Sequence, residues 1–238
     1  MGYRTGVQKA YTEELTKVYD DRHFGGRSGQ YILQRDCGAL EALLERPPCL
    51  ILDIPCGTGV YVTALMQTGY DVVAADVSLP MLEVTRRREA NTLRVLCDVD
   101  HLPFRDGVFD AVVTIRLFSH YLQDDVTRML LELRRAIRPG GRVVFDSFRW
   151  TPRRWPLLRR FLDESCIYVL SPREVEEVIR NAGLRKVDVR CLYLFSPLWQ
   201  RRLPFWVLRG LTALETVLPQ RWLLRAFWAC TREPESAH

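Results

Sequence analysis

Lysine is almost missing from this chain. Lys9, Lys17 and Lys186 are the only three, so nearly all the positive charge is arginine, and the net charge is a mild +5. Such a bias is expected from genome composition, and no dedicated basic domain or RNA-binding module accompanies it, which argues against a nucleic-acid partner. The 7 cysteines and 4 histidines form no C-x-x-C or H-x-x-x-H pair, so no metal site is expected. An odd, scattered cysteine set fits reduced thiols in a cytosol. No apolar run approaches the length of about 18 residues that spans a bilayer. Residues Met1 to Asp21 lack an apolar core, so no secretory signal is expected there, and Gly6 stands where a myristoylation signal wants Ser or Thr. Internal repeats and low-complexity tracts are absent too. What remains is a chain of 238 residues, 47% apolar and 26% charged. That describes a soluble globular protein with one large α/β domain or two small ones.

The chain is organised around Leu50 to Tyr61. Leu50-Ile51-Leu52 has the short apolar run of a strand covered on both faces, and Asp53 ends it as a fixed acceptor. Pro55 and Gly57 break the strand, and helical spacing resumes from Tyr61 to Met66. Gly57 and Gly59, on either side of Thr58, let the backbone turn tightly and approach a ligand. Such a junction exposes helix N–H groups beside a strand's carboxyl end, where open α/β sheets bind ligands. Dinucleotide folds want a third small residue in G-x-G-x-x-G/A, and Val62 occupies that place.

Alternation of strands and helices continues outward from this junction. Strands are expected at 71–75, 93–97, 109–115 and 142–147, with helices at 60–68, at 79–88 behind a Ser78 cap, and from Asp124 or Asp125 to Arg138, ended by Pro139-Gly140-Gly141. Before the junction, 11–19 reads as a helix, His23 to Gly29 as a flexible hinge, and 31–45 as a helix stopped by Pro47-Pro48. Beyond residue 150, Ser171-Pro172-Arg173-Glu174 predicts a capping box opening a helix to Ala182. A strand is expected at 184–194, a helix at 205–217 and a last strand at 223–231. This rhythm predicts a doubly wound, mostly parallel sheet, with 1–29 as a helical lid, 30–149 as a cofactor-binding core and 150–238 as decoration in a single domain. Right-handed crossovers then bring Asp53, Asp76 and Asp98, each ending a strand, to one rim.

The ordered set of motifs resembles class I S-adenosylmethionine-dependent methyltransferases of the small-molecule, type 11-like group, over roughly residues 30 to 195 plus the last strand. Their fold implies seven strands. Residues 53–59 are similar to the family's first motif, with Pro55 where Gly is commonest. The resemblance implies that Asp53, Pro55, Gly57, Thr58 and Gly59 hold the methionine part of S-adenosylmethionine. It implies that Asp76, followed by Val77, takes the ribose hydroxyls, a task suited to a carboxylate accepting from a diol. Asp98-Val99 resembles the adenine-contact segment, with Met81 packing near the ring. Phe109 to Val113 and the run from Leu133 to Gly141 resemble the fourth-strand and fifth-strand signatures. Tyr19 and Arg27 in the lid, and Arg116 after the fourth strand, complete the expected cofactor contacts.

Methyl transfer from a sulfonium needs the acceptor aligned and, for a hydroxyl or protonated amine, a base. His120, in Leu117-Phe118-Ser119-His120-Tyr121 on the cofactor edge, is the candidate base. The expected reaction is methylation of an O or N atom of a small apolar or lipid-like metabolite. A nicotinamide-dependent Rossmann oxidoreductase and a non-catalytic S-adenosylmethionine-binding protein are the alternatives. The aromatic and arginine-rich segments Trp150–Phe161 and Ser196–Pro219 are expected to form an acceptor pocket, a homodimer contact or a surface that meets a membrane from the cytoplasm, with the chain a monomer or a homodimer.

Overall fold

The computed structural model describes residues 13–149, 169–194, 200 and 203–232. The segment 150–161, the stretch 196–199 and the start of the expected first helix lie outside the described residues.

Seven strands form one sheet in the order β3-β2-β1-β4-β5-β7-β6. In chain order these are β1 (Leu50–Asp53), β2 (Asp71–Asp76), β3 (Leu93–Leu96), β4 (Phe109–Thr114), β5 (Ile137–Phe148), β6 (Leu184–Leu192) and β7 (Arg225–Arg232). β1 pairs in parallel with β2 (Asp53↔Ala74) and with β4 (Asp53↔Val113). The β2–β3 and β4–β5 pairs are also parallel, while β7 runs antiparallel between β5 and β6. The chain therefore winds one way from β1 through β2 and the other way from β4, leaving a crevice beyond the carboxyl ends of β1 and β4.

Period-two alternation sends neighbouring residues to opposite layers. Leu52, Val73, Val112 and Phe145 pack with α5 (Gln123–Ala136) and α6 (Pro172–Asn181) on one face. Ile51, Val72, Val113 and Phe227 pack with α2 (Gly26–Leu43) and α3 (Val60–Gln67) on the other. α5 buries Val126, Met129, Leu130, Leu133 and Ala136, the 3–4 spacing of an inward stripe. α4 (Leu79–Arg88) carries the Ser78 cap, whose side chain accepts from Met81 N. The Ser171–Glu174 capping box forms as expected, and α7 spans Phe205–Val217, the predicted bounds. No described helix is long and apolar enough to cross a membrane.

Two expectations need correction. Residues 23–29 are not a hinge: α1 (Glu13–Phe24) and α2 are separated by Gly25 alone. A Cβ on Gly29 would lie 2.4 Å from the carbonyl carbon of Phe24, so the glycine permits a close backbone crossing. Likewise, Pro139-Gly140-Gly141 does not end a helix. α5 stops at Ala136, Ile137 already pairs with Phe109, and the Pro-Gly-Gly run lies inside β5 at a register shift against β4.

Candidate functional site

β1 feeds into its turn with its backbone still tied down. Ile54 N donates to Val113 O (2.9 Å) and Cys56 N to Ala75 O (2.8 Å), so the turn is stitched to both flanking strands. Gly59 caps α3 in the left-handed conformation (φ 77°), and a Cβ there would sit 2.9 Å from Thr85. Thr85 Oγ1 in turn donates to Gly57 O (2.9 Å). Gly57 N donates to one oxygen of Asp76 (2.8 Å) and Ser78 N to the other (2.8 Å). The strand-end carboxylate of β2 is thus a brace for the β1 turn, and Pro55, which lacks an N–H, is spared any of these bonds.

An open cleft of about 1050 Å³, its solvent mouth included, lies over this junction. Of the residues singled out in the sequence, Tyr19, Pro55, Gly57, Thr58, Asp76, Val77, Met81, Asp98, Val99, Arg116 and His120 line it. Three do not. Gly59 sits behind the turn. Asp53 is buried beneath it, and neither carboxylate oxygen has a hydrogen-bond partner. Arg27 is exposed, with its guanidinium 4.7 Å from the centre of the Phe205 ring, because the start of α2 faces α7 rather than the cleft.

Burial sets the electrostatics. It pushes the Asp76 carboxyl up to about 6, against the lowering effect of the Ser78, Gly57 and Val77 N–H groups. Burial, and then the Asp76 charge, pushes Asp53 well above the usual carboxylate range. Cys56, also in the lining, is driven up by burial and stays a thiol. Asp98 makes a tight turn, accepting from Asp100 N (3.1 Å), while still lining the cleft. His120 closes a short 3₁₀ turn (Phe118–His120) at the mouth of β4.

α1 lies across the turn. Thr58 Oγ1 donates to Asp20, which also pairs with Arg88, and Arg88 Nε donates to Thr58 O (3.1 Å). Tyr19 from this helix, and Phe24 at its end, complete the wall.

Behind the cleft lies a buried charge network that the sequence motifs pass over. Arg225 Nη1 donates to Asp36 Oδ2 (2.7 Å) and Arg225 Nε to Asp146 Oδ2 (2.7 Å). Asp36 accepts from Tyr61 (2.8 Å) and Tyr193 (2.6 Å), and Asp146 accepts from Arg116 N (2.6 Å). Arg116 is held there at φ 63°, its guanidinium 4.8 Å from the centre of the Phe24 ring and its Nη1 buried without a partner. Tyr61 and Arg116 both line the cleft, so one buried ion triad sets two of its walls. Asp36 among the inward Ile32, Leu40 and Leu43, and Arg225 opening a strand that continues apolar, are the signals that could have revealed it.

Residues 52–145 match a family model described as a methyltransferase domain. Among curated relatives, demethylmenaquinone methyltransferase of Clavibacter sepedonicus is 42% identical over 138 residues, covering 56% of this chain and 54% of that protein. The enzyme of the same name from Thermus thermophilus is 40% identical over 121 residues, covering 48% and 54%. The chain thus spans about half the length of these relatives. In structure, magnesium protoporphyrin IX methyltransferase from Synechocystis PCC 6803, solved with bound SAH, aligns with a TM-score of 0.69 at 14% identity, over 97% of this chain and 100% of that one. That likeness is one of fold.

Proposed function

We propose that this chain is a class I S-adenosylmethionine-dependent methyltransferase and moves a methyl group from S-adenosylmethionine to a small apolar or lipid-like acceptor. The observation that carries the reading is the Asp76 brace. A carboxylate held by Gly57 N and Ser78 N, and still facing the cleft, can accept from a ribose diol while it fixes the turn that meets the rest of the cofactor.

The residues present fit the cofactor. Gly57, Thr58 and Pro55 form the turn against its methionine part, with Asp53 beneath as an acceptor whose orphaned oxygens are available to polar donors. Asp76 and Val77 take the ribose, while Asp98, Val99 and Met81 take the adenine. Tyr19 closes the site from α1, and Arg116 brings a buried, unpartnered N–H donor suited to a carboxylate. Arg27 has no part in this set. When bound, the cofactor supplies an activated methyl and its own leaving group.

The protein's task is alignment and water exclusion. Holding an acceptor about 3–3.5 Å from the methyl carbon can supply roughly 7–11 kcal/mol of the barrier. His120, at the lip of the same cleft, takes the proton released by a hydroxyl or amine acceptor. A demethylmenaquinone-like acceptor is a second reading, favoured by the similarity to demethylmenaquinone methyltransferases; a proton released there would give His120 the same work. The nicotinamide alternative has no support from the family match. We further propose that the whole chain acts as one cytoplasmic domain, with 1–29 as its lid, and works at the membrane periphery.

The test is calorimetric titration of S-adenosylhomocysteine into wild type and Asp76→Ala, alongside labelled-methyl transfer into lipid and small-molecule extracts. Losing hydrogen bonds to a charged acceptor should weaken binding about 10- to 100-fold. Wild-type protein that does not bind S-adenosylhomocysteine would overturn the reading.

A further inference from the structure

α7 turns its apolar side outward. The helix buries Leu208 and Glu215 against α2, where Glu215 pairs with Arg35 and accepts from the Tyr193 and Leu194 N–H groups. The opposite face carries Trp206, Gly210, Ala213, Leu214 and Val217. At about 100° per residue these five fall within one arc of roughly 100°. Trp206 and Val217 are each 76% exposed, and Trp222, just past the helix, is 56% exposed. An ordinary surface helix has the reverse pattern.

The charges around this stripe have one sign. Arg209 and Arg221 are exposed beside it. From Ser196 to Trp222 the sequence holds Arg201, Arg202, Arg209 and Arg221 against one acid, Glu215, and that acid is buried and paired. The stripe also has a defined relation to the cleft. Phe205, at the start of α7, packs edge-on against Tyr31 (5.3 Å) and under Arg27 at the start of α2. α2 begins just after Phe24, which lines the cleft. The Trp206 end of the stripe therefore lies toward the cleft side of the molecule.

We propose that the outer face of α7, with Trp222, docks on an anionic lipid surface, Trp206, Leu214 and Val217 entering the headgroup boundary while the arginines meet lipid phosphates. Aromatic anchors, aliphatic fill and flanking arginines without exposed acids are the chemistry of an in-plane interfacial helix. A second copy of the chain is a poorer occupant. A two-fold contact through this stripe sets Arg209 and Arg221 against their own copies, and the segment offers no exposed acid to pair them. Docking here presents the cleft side to the bilayer, from which an apolar acceptor can enter. This last step rests on the methyl-transfer reading, whereas the docking does not.

The experiment is co-sedimentation of the full chain with phosphatidylcholine vesicles with and without about 30% phosphatidylglycerol. Wild type should bind the anionic vesicles and release them at high salt. Trp206→Asp with Val217→Asp should lower that binding at least about tenfold, with thermal stability and S-adenosylhomocysteine affinity unchanged, since both side chains point outward. Arg209→Gln with Arg221→Gln should reduce binding to anionic vesicles and remove its salt sensitivity. Wild type that ignores anionic vesicles, or binding untouched by the Trp206/Val217 pair, overturns the docking. So does a dimer, seen by sedimentation velocity, that the same pair dissolves while vesicles bind neither form. Loss of S-adenosylhomocysteine binding in wild type would sink the methyl-transfer reading and leave the vesicle result standing.

Discussion

Cofactor affinity should fall with acid below about pH 6, and Asp76 is the reason. Burial raises its carboxyl from 3.8 to about 6 in the ligand-free protein. A ribose diol donates hydrogen bonds, so it favours the ionised carboxylate and draws the bound-state value back toward 3.8 or below. The gap is 6 − 3.8, or about 2.2 units, which at 1.36 kcal/mol per unit is about 3 kcal/mol. S-adenosylhomocysteine should therefore bind about fivefold more weakly at pH 5 than at pH 6 and about tenfold more weakly than at pH 7, and should change little from about pH 7 to pH 8. The same proton acts with opposite sign on the stability of the empty protein. A folded-state value above the unfolded one stabilises the fold fully below pH 3.8. That contribution is lost as pH rises through about 6, costing up to about 3 kcal/mol. Asp53, raised by burial and then by Asp76, adds in the same direction. Calorimetric titrations across this range, with denaturant melts of the empty protein beside them, read both effects. Asp76→Asn should bind weakly with no slope between pH 5 and pH 6, and should be more stable than wild type near pH 7. A wild-type affinity that is flat through this range, or a slope that survives in Asp76→Asn, would refute the reasoning.

His120→Ala should lower turnover by about 10²–10⁴-fold and leave S-adenosylhomocysteine affinity intact; unchanged single-turnover rates would remove it as the base. Arg225→Met should cost about 3–5 kcal/mol in urea unfolding, because Asp36 and Asp146 are left buried without their shared cation. Adding Asp36→Asn and Asp146→Asn to that variant should recover much of the loss, and no recovery would mean that packing rather than charge sets the cost. Gly59→Ala should cost about 1–3 kcal/mol, since it forces φ 77° on an L-residue with its Cβ 2.9 Å from Thr85. Thr85→Ser, which keeps the hydroxyl on Gly57 O and removes the methyl, should return part of this in a thermal melt.

What was legible in the sequence, and what was not, divides by the range of the interaction that decides it. Ser78 and Ser171 cap their helices because capping is settled within four residues, and both caps form as expected. Asp76 and Asp98 reach the cleft because strand alternation and crossover handedness leave no other edge for them. The glycines at 25–29 are harder to read, since glycine serves both φ freedom and close approach. Which applies depends on what lies across from it: for Gly29 that is the backbone of Phe24, at the end of the preceding helix. Arg27 has the same difficulty, because its neighbour Phe205 comes from the far end of the chain. Yet long range alone does not make a contact unreadable. Asp36 shares the inward face of α2 with Ile32, Leu40 and Leu43, and Arg225 opens a strand that continues apolar. A buried charge needs an opposite charge within reach, so each of these residues advertises a missing partner. Two buried carboxylates and one buried guanidinium can meet that demand only together. Their meeting point then has to lie where α2, β5 and β7 converge, behind the cleft wall that Tyr61 and Arg116 form. The demand for charge balance in the core thus locates a cleft-supporting network that periodicity and motif matching, each confined to a local window, pass over.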